Sequence, residues 1–452
     1  MAQSDRPTQT GKKSLLNDLP PDHPERLVLA EEVHARPPEA LTTPSRATYV
    51  AVLIELGRRG DELDHLAALC AGFDVPAPPP SATHFSADFP TVRLKWERHG
   101  EFSGYTFLTA GRNETLCSEP AASRLPGGWL AGIPGATIFA AHGKLIDAGD
   151  GEPAGELLAA HFEGNVVVGS GVGGGAGFAV TDFRTHADGF ARFLLLDRNF
   201  TGRQAGRMLQ RLFEIEAYRM LALLALPLAR RQSQQLVAIE GSLADLTQGI
   251  ARDGSDDEAI LHELTRLAAE VESCVVASEF RFGACAAYHG LVVTRIAELR
   301  EQRLAGIQTI DEFMARRFSP AVATVASTSR RLHELSDRVA QACLLLSTRV
   351  GIAREKQNQA LLESMNRRAR MQLRLQETVE GLSVAAILYY VVGLIGYAAK
   401  AMKAGGLHVD PDLVVGIAIV PLAVLLVFAL RRARRRIAEP DVGPAHEGRL
   451  LD

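Results

Sequence analysis

The chain has 452 residues, of which 47% are hydrophobic and 23% are charged, so most of it is ordinary globular material rather than a many-span transporter. A formal net charge of −4 gives no reason to expect a nucleic-acid partner. The five cysteines are scattered and form no CxxC pair, which predicts a reducing compartment and no zinc site.

The first 200 residues predict a polar lead-in followed by a cytoplasmic α+β domain. Residues 1–21 are polar and contain prolines, so we expect a flexible N-terminus. They lack an apolar signal region, so we expect no cleaved secretion signal. Residues 22–200 contain helical patterns near 23–36, 60–72 and 155–162 and a weaker one near 128–133. A strand-like segment at 47–56 and seven more between Thr83 and Asp197 are rich in β-branched or aromatic residues. We therefore predict a mixed or mainly antiparallel sheet.

From Thr201 to residue 380 the pattern is helical, and we predict a helical bundle and stalk. Thr201 is the candidate N-cap of the first helix, and breaks are expected near 252–256 and 305–320. The last helix, from about Pro320 to Glu380, has no strong break apart from Gly351. Its apolar residues recur at three- and four-residue spacing, which predicts packing in a bundle or coiled coil and a homo-oligomer.

Residues 381–430 predict a transmembrane hairpin with spans at 382–399 and 413–430. Each span is 18 residues long and has no charged residue. A helix of that length is roughly 27 Å long, close to the hydrocarbon thickness of a bilayer. The alternative is a buried core helix, but such a helix usually keeps a polar edge. The lipid bilayer is therefore the expected partner of this region.

Basic residues around the spans predict that both termini are cytoplasmic. Four arginines precede the first span, whereas the connecting loop has only Lys400 and Lys403, offset by Asp410 and Asp412. The basic tail, 431–452, begins with five more arginines that set the topology or contact anionic headgroups: Arg431, Arg432, Arg434, Arg435 and Arg436. Within the first span, Gly393 and Gly396 permit close helix packing, and Tyr389 and Tyr390 are its polar groups.

One polar motif and one glycine-rich motif are the candidates for ligand sites. In TDFRTHADGF, Asp182, Arg184, His186 and Asp188 alternate, so on a strand they would share one face. Asp182, His186 and Asp188 could there hold a divalent cation, and the alternative is an exposed polar face. GSGVGG, at 169–174, is followed by another strand pattern, so it predicts a hairpin connection rather than a dinucleotide site. We expect no cofactor and no enzyme, since no catalytic motif is found.

Several segments together resemble one known family. They are EEVHARPPEAL, TDFRTHADGF, GRMLQRLFEIEAYRMLALLALP and the long stretch from QNQALLESMNRRARMQLRLQ to VVGLIGYAAKA. The chain resembles the uncharacterised bacterial membrane-anchored proteins grouped as domain of unknown function 3422. The resemblance covers about residues 20–436 and implies a bacterial inner-membrane protein without implying any activity.

The order of elements is also similar to that of CorA-like divalent-cation transporters, which carry a cytoplasmic α/β domain, a stalk helix and two spans. Their Gly-Met-Asn signature is absent here, where IGYAAKA ends the first span, and the loop lacks acidic richness.

Two hypotheses follow. The first is a membrane-anchored cytoplasmic protein with an interaction or regulatory role, acting as an oligomer. The second is an oligomeric cation channel whose first span lines the pore with Tyr389, Tyr390 and carbonyls near Gly393 and Gly396. An enzyme that uses the face of Asp182, His186 and Asp188 is a third class.

Overall fold

The computed structural model describes residues 22–32, 37–111, 119–149, 151–153, 155–252, 256–406 and 410–437. The chain divides into two compact units, Met1–Leu345 and Leu346–Asp452, which we call the N-terminal unit and the C-terminal unit. Sequence reasoning predicted domain boundaries at 21/22, 200/201, 380/381 and 430/431.

Eight strands form one sheet in the N-terminal unit: β1 (Ser45–Leu53), β2 (His84–Asp88), β3 (Arg93–Arg98), β4 (Phe102–Ala110), β5 (Ala136–Asp147), β6 (Val168–Val172), β7 (Gly177–Thr181) and β8 (Ala191–Asp197). Their order is β2-β3-β4-β1-β5-β8-β7-β6. Neighbouring strands are antiparallel except β5 and β8, which are parallel. The prediction of an α+β fold with a mixed sheet is therefore confirmed.

Nine α-helices lie in the described part of the chain: α1 (Arg26–Glu32), α2 (Arg59–Gly72), α3 (Gly155–Phe162), α4 (Gly202–Leu223), α5 (Ala225–Ile250), α6 (Asp257–Leu299), α7 (Ile310–Arg317), α8 (Ser319–Ala404) and α9 (Pro411–Ile437). Thr201 caps α4 as predicted: its side chain accepts from the backbone N–H of Gln204, and the Gln204 side chain accepts from the backbone N–H of Thr201. This reciprocal pair satisfies two amides that the helix start would otherwise leave unpaired.

The main core lies between the sheet and α4. Phe213 of α4 stacks on Tyr49 of β1 with ring centroids 5.2 Å apart and meets Phe193 of β8 edge-on at 5.6 Å. Gly143 of β5 permits this approach, because an added Cβ would lie 2.8 Å from both Leu209 and Phe213. The sheet and α4 thus share one hydrophobic cluster, which also includes residues of α6. This shared core is why no boundary between compact units falls at 200/201.

Two smaller clusters cover the opposite face of the sheet. One packs α2 against β3 and β4 around Trp96 and Phe107. The other packs α3 against β7 and β8 around Phe162 and Leu194. The central strands β1, β5 and β8 run between these two clusters. Because side chains alternate along a strand, every second residue of these strands points to the face of the sheet that the two clusters cover.

The C-terminal unit contains the rest of α8, from Leu346, and α9. The predicted spans both fall within these helices, and α9 continues to Ile437 through the arginine cluster. The predicted basic tail, 431–452, therefore begins within the last turns of this helix. Residues 438–452 lie outside the described residues.

Candidate functional site

The predicted cation site depends on a strand that continues through Asp188, and this part of the prediction is wrong. β7 ends at Thr181. The Thr181 hydroxyl accepts a hydrogen bond from the backbone N–H of Phe183, and Asp182 accepts one from that of Arg184. Phe183 has a positive φ of 51°. These local side-chain contacts replace the ladder of a strand with a turn, so residues 182–190 do not alternate on one face.

The turn brings Asp182 and His186 together but leaves Asp188 apart. His186 Nε2 lies 2.9 Å from Asp182 Oδ2, and Nδ1 lies 3.4 Å from Glu163 Oε2. Asp182 Oδ2 also accepts from Asn165. Asp188 is exposed and accepts from the backbone N–H of Phe190.

This geometry does not provide a set of metal ligands. His186 and Asp182 engage each other, and Asp188 accepts a hydrogen bond elsewhere in the turn, so the three predicted ligands do not converge. Among the residues that the structure describes, no group of three or more His, Cys, Asp and Glu could hold a metal ion. Asp182 and His186 instead join the turn after β7 to the segment that follows α3.

The same two residues lie at one end of a buried row that we call the polar seam: Arg46, Thr48, His142, Lys144, His161, Asp182, His186 and Arg192. All eight are at most 9% exposed. Register explains the row, because Arg46 pairs with Lys144, Thr48 with His142, and His142 with Arg192 on neighbouring strands. The seam separates the two smaller hydrophobic clusters.

Carboxylates around the seam offset its buried cations. Arg192 Nη2 lies 2.8 Å from Glu163, Arg46 Nη1 lies 3.6 Å from Glu119, and Asp182 is a third acid within the seam. Arg192 and Arg46 thus each lie beside a carboxylate, and Asp182 lies beside His186. These contacts join β1 and β8 to the segments that precede β5 and follow α3, and so favour one arrangement of the sheet and its surroundings.

Two seam histidines are poorly suited to proton transfer at neutral pH. Burial lowers the pKa of His142 to about 4, with Arg192 adding to the effect and Asp188 opposing it. Its Nδ1 lies 3.1 Å from the Thr48 hydroxyl, and its ring stacks on Phe190 at 4.0 Å. Burial also lowers the pKa of His161, and the nearby Lys144 and Arg192 lower it further. A general base works best with a pKa near the operating pH.

Sequence reasoning identified Asp182 and His186 but missed most of the seam. A usable signal was present in AAHGKLID, where His142 and Lys144 alternate inside an otherwise apolar strand. Of EEVHARPPEAL, one of the segments that carry the family resemblance, residues 33–36 lie outside the described residues.

The C-terminal unit contains the other predicted functional residues. Tyr389 and Tyr390 are 77% and 70% exposed, and their rings meet edge-on at 5.9 Å. An added Cβ on Gly396 would lie 3.3 Å from Val415 of α9, whereas one on Gly393 would contact nothing within 4 Å. Gly396, and not Gly393, therefore lies at the contact between α8 and α9.

Two helices are long and apolar enough to cross a membrane: the helical stretch that ends at Ala404, and the stretch Pro411–Ala429 of α9. In the most apolar 18-residue segment of each stretch, almost none of the residues is buried.

Comparison with known proteins gives one match. The family model "Protein of unknown function (DUF3422)" matches residues 21–437. The chain belongs to the DUF3422 family. This confirms the resemblance inferred from the motifs. No curated protein and no solved structure matches this DUF3422 chain, so the architectural similarity to CorA-like transporters gains no support.

Proposed function

We propose that this DUF3422 protein is anchored in the bacterial inner membrane by a two-helix hairpin and acts there as an oligomeric interaction or regulatory protein. The observation that carries the proposal is the exposure of the uncharged stretches 382–399 and 413–430 in the C-terminal unit. Leu394 is 67% exposed and Leu425 is 69% exposed. Transfer of such a side chain out of water is worth about 1.5–3 kcal/mol, so a row of them strongly favours a lipid environment.

The exposure also argues against the alternative of a soluble core helix. A core helix buries its apolar residues against other elements of the same protein, as α4 does with Phe213. The windows in the two candidate spans are 6% and 0% buried. Bilayer lipid is the simplest partner that covers a helix on all sides.

The flanking charges support an orientation with both ends in the cytoplasm. Arginines precede the first span and follow the second, whereas the loop between them has a balanced charge. The N-terminal unit is then a cytoplasmic body. A reporter that is active only in the cytoplasm should give a signal when it is fused after Asp452. A reporter that is active only outside the cytoplasm should give none at the same position.

Self-association is supported by the helical stretch before the first span. Apolar residues of α8 in this stretch are more than half exposed, including Ile352, Leu361, Leu362, Met365 and Leu375. Packing against the same stretch of other copies would cover them. Native mass spectrometry of the solubilised particle tests this: a monomer would contradict it, a dimer would support an anchored regulator, and a ring of four or more would make a pore geometrically possible.

The anchor itself is tested by extraction at alkaline pH, which removes peripheral proteins from membranes. The unaltered protein should stay in the membrane pellet. The paired change Leu394→Arg with Leu425→Arg should shift it toward the soluble fraction, because one arginine at a span centre costs about 2.5–3.5 kcal/mol of insertion.

A matched control places the same charges in the N-terminal unit, at Val237 and Val276. These valines are 61% and 67% exposed, so Val237→Arg with Val276→Arg should leave extraction unchanged. Complete extraction of the unaltered protein would rule out the anchor.

A further inference from the structure

An open cleft of about 710 Å³ lies in the N-terminal unit, where the start of α4 meets the end of α6 and the segment before β1. Its lining contains four arginines, two glutamates, two prolines, an alanine and a glutamine. They are Arg203, Arg207, Arg211, Arg295, Glu214, Glu298, Pro37, Pro38, Ala40 and Gln210. A cleft of this volume is in the range that small-molecule ligands occupy.

The wall made by the proline pair is fixed against α4. The backbone N–H of Leu41 donates to the carbonyl of Gly202 at 3.0 Å. Gly206 allows the segment to approach so closely that an added Cβ there would collide with the Glu39 carbonyl. The cleft is therefore held open by backbone contacts and not only by surface side chains.

Both glutamates of the cleft are already engaged. Glu214 accepts from Arg295 with one oxygen and from Gln210 with the other, the latter at 2.7 Å. Glu298 accepts from Arg211 at 2.8 Å and from Arg295 at 3.0 Å. These contacts neutralise Arg211 and Arg295 and fix their side chains.

Arg203 and Arg207 carry the charge that remains. Both are exposed, and among the described residues neither forms an ion pair. They are four residues apart on α4, so they lie on one face with a rise of roughly 6 Å between them. Arg207 and Arg295 both contribute to lowering the pKa of Arg211, after the larger effect of burial, as expected for arginines gathered at one place.

We propose that this cleft binds a phosphate group, held between Arg203 and Arg207. The cleft has four cations and two carboxylates, and a phosphate monoester with a charge near −2 at neutral pH balances the difference. Guanidinium groups present paired N–H donors that match phosphate oxygens, and such charge-assisted hydrogen bonds are among the stronger ones. The proposal does not depend on membrane anchoring.

The inner end of the cleft limits what can be attached to that phosphate. Gln210 and Glu214 also line a smaller cavity of about 30 Å³, room for one or two water molecules. There the Lys95 ammonium lies 3.0 Å from Glu97 and 3.3 Å from Gln210, so this charge is paired within the protein. The rest of the ligand must therefore lie in the open part of the cleft and not in this cavity.

The first arm of the experiment measures binding of inorganic phosphate to the full-length protein in uncharged detergent by isothermal titration calorimetry. The comparison is Arg203→Gln with Arg207→Gln against Arg230→Gln with Arg231→Gln. The second pair removes the same charge from α5 at arginines that are also exposed. We expect the first pair to weaken phosphate binding by about tenfold or more per arginine and the second pair to leave it unchanged.

The second arm separates a free phosphate compound from a lipid headgroup. Thermal unfolding is compared in nanodiscs of phosphatidylcholine alone and with phosphatidic acid added. Binding in the first arm without an effect of phosphatidic acid indicates a soluble ligand. A rise in melting temperature with phosphatidic acid that Arg203→Gln with Arg207→Gln removes, and the α5 pair keeps, indicates a headgroup.

Either of those two results supports the site. Absence of both effects in the unaltered protein overturns it, as does an equal loss in the two double variants. Far-ultraviolet circular dichroism shows whether each variant is folded, which we expect because the replaced side chains make no ion pair in the described structure.

Discussion

The core of the N-terminal unit and the helices of the C-terminal unit differ in how far they bury large apolar side chains. In the N-terminal unit, Phe213 of α4 is 1% exposed and packs against aromatic rings of β1 and β8. In the C-terminal unit, Phe428 is 66% exposed, although it also lies on a helix. The core of the first unit surrounds its apolar side chains with other parts of the same chain, whereas the two helices of the second unit leave most of theirs exposed. A large exposed apolar surface of this kind is typical of a region that contacts lipid or another protein.

The largest expected effect tests this contrast directly. Phe213→Ala should lower the free energy of unfolding of the N-terminal unit by about 3–5 kcal/mol, because it removes two ring contacts and leaves a cavity. Urea unfolding followed by tryptophan fluorescence reports this unit alone, since both tryptophans, Trp96 and Trp129, lie in it. Phe428→Ala should leave the same transition in place. A shift in both variants would mean that the two units unfold together.

The polar seam predicts how the stability of the N-terminal unit depends on pH. The pKa of His142 is about 4 in the folded protein and 6.5 without the fold, so the unfolded chain binds more protons between those values. Stability should therefore fall as the pH drops from about 6.5 to 4, by on the order of 3 kcal/mol from this residue. His161 acts in the same direction.

Urea unfolding at several pH values measures how steeply the free energy of unfolding changes with pH. His142→Asn should lower stability at neutral pH, through loss of the ring stacked on Phe190, and should flatten the dependence below pH 6.5. His262→Asn, on the exposed side of α6, is the matched control and should keep the slope of the unaltered protein. An unchanged slope in His142→Asn would show that other groups cause the acid sensitivity.

The contrast between the units also explains what could be predicted from the sequence. The two apolar helices, at 382–399 and 413–430, could be predicted because lack of charge is a property of each segment by itself. The eight strands and the cap at Thr201 depend likewise on neighbouring residues. The end of β7 was missed because the hydroxyl of Thr181 and the carboxylate of Asp182 redirect the backbone, and that competition is not visible in the alternation of polar residues.

Features that join distant parts of the chain were beyond the same reasoning. The polar seam requires the order of strands, including the parallel pair β5 and β8, which local pattern does not determine. The arginine cleft requires Arg211 of α4 to meet Glu298 of α6, 87 residues later in sequence. Sequence reasoning also divided the chain at 200/201 because the pattern changes there, although the helix that begins at that point completes the core of the sheet.

The smallest expected effect sharpens this last point, because it asks how much the start of α4 contributes to the N-terminal unit. Thr201→Ala removes the side-chain acceptor for the Gln204 N–H and should cost about 1 kcal/mol of stability in the tryptophan-monitored transition. Thr265→Ala is a matched control in α6, where the hydroxyl only bonds back to the Leu261 carbonyl and alanine is the better helix former. It should leave stability unchanged or raise it by a few tenths of a kcal/mol. Equal behaviour of the two variants would mean that α4 is held by its buried face alone and that its cap is dispensable.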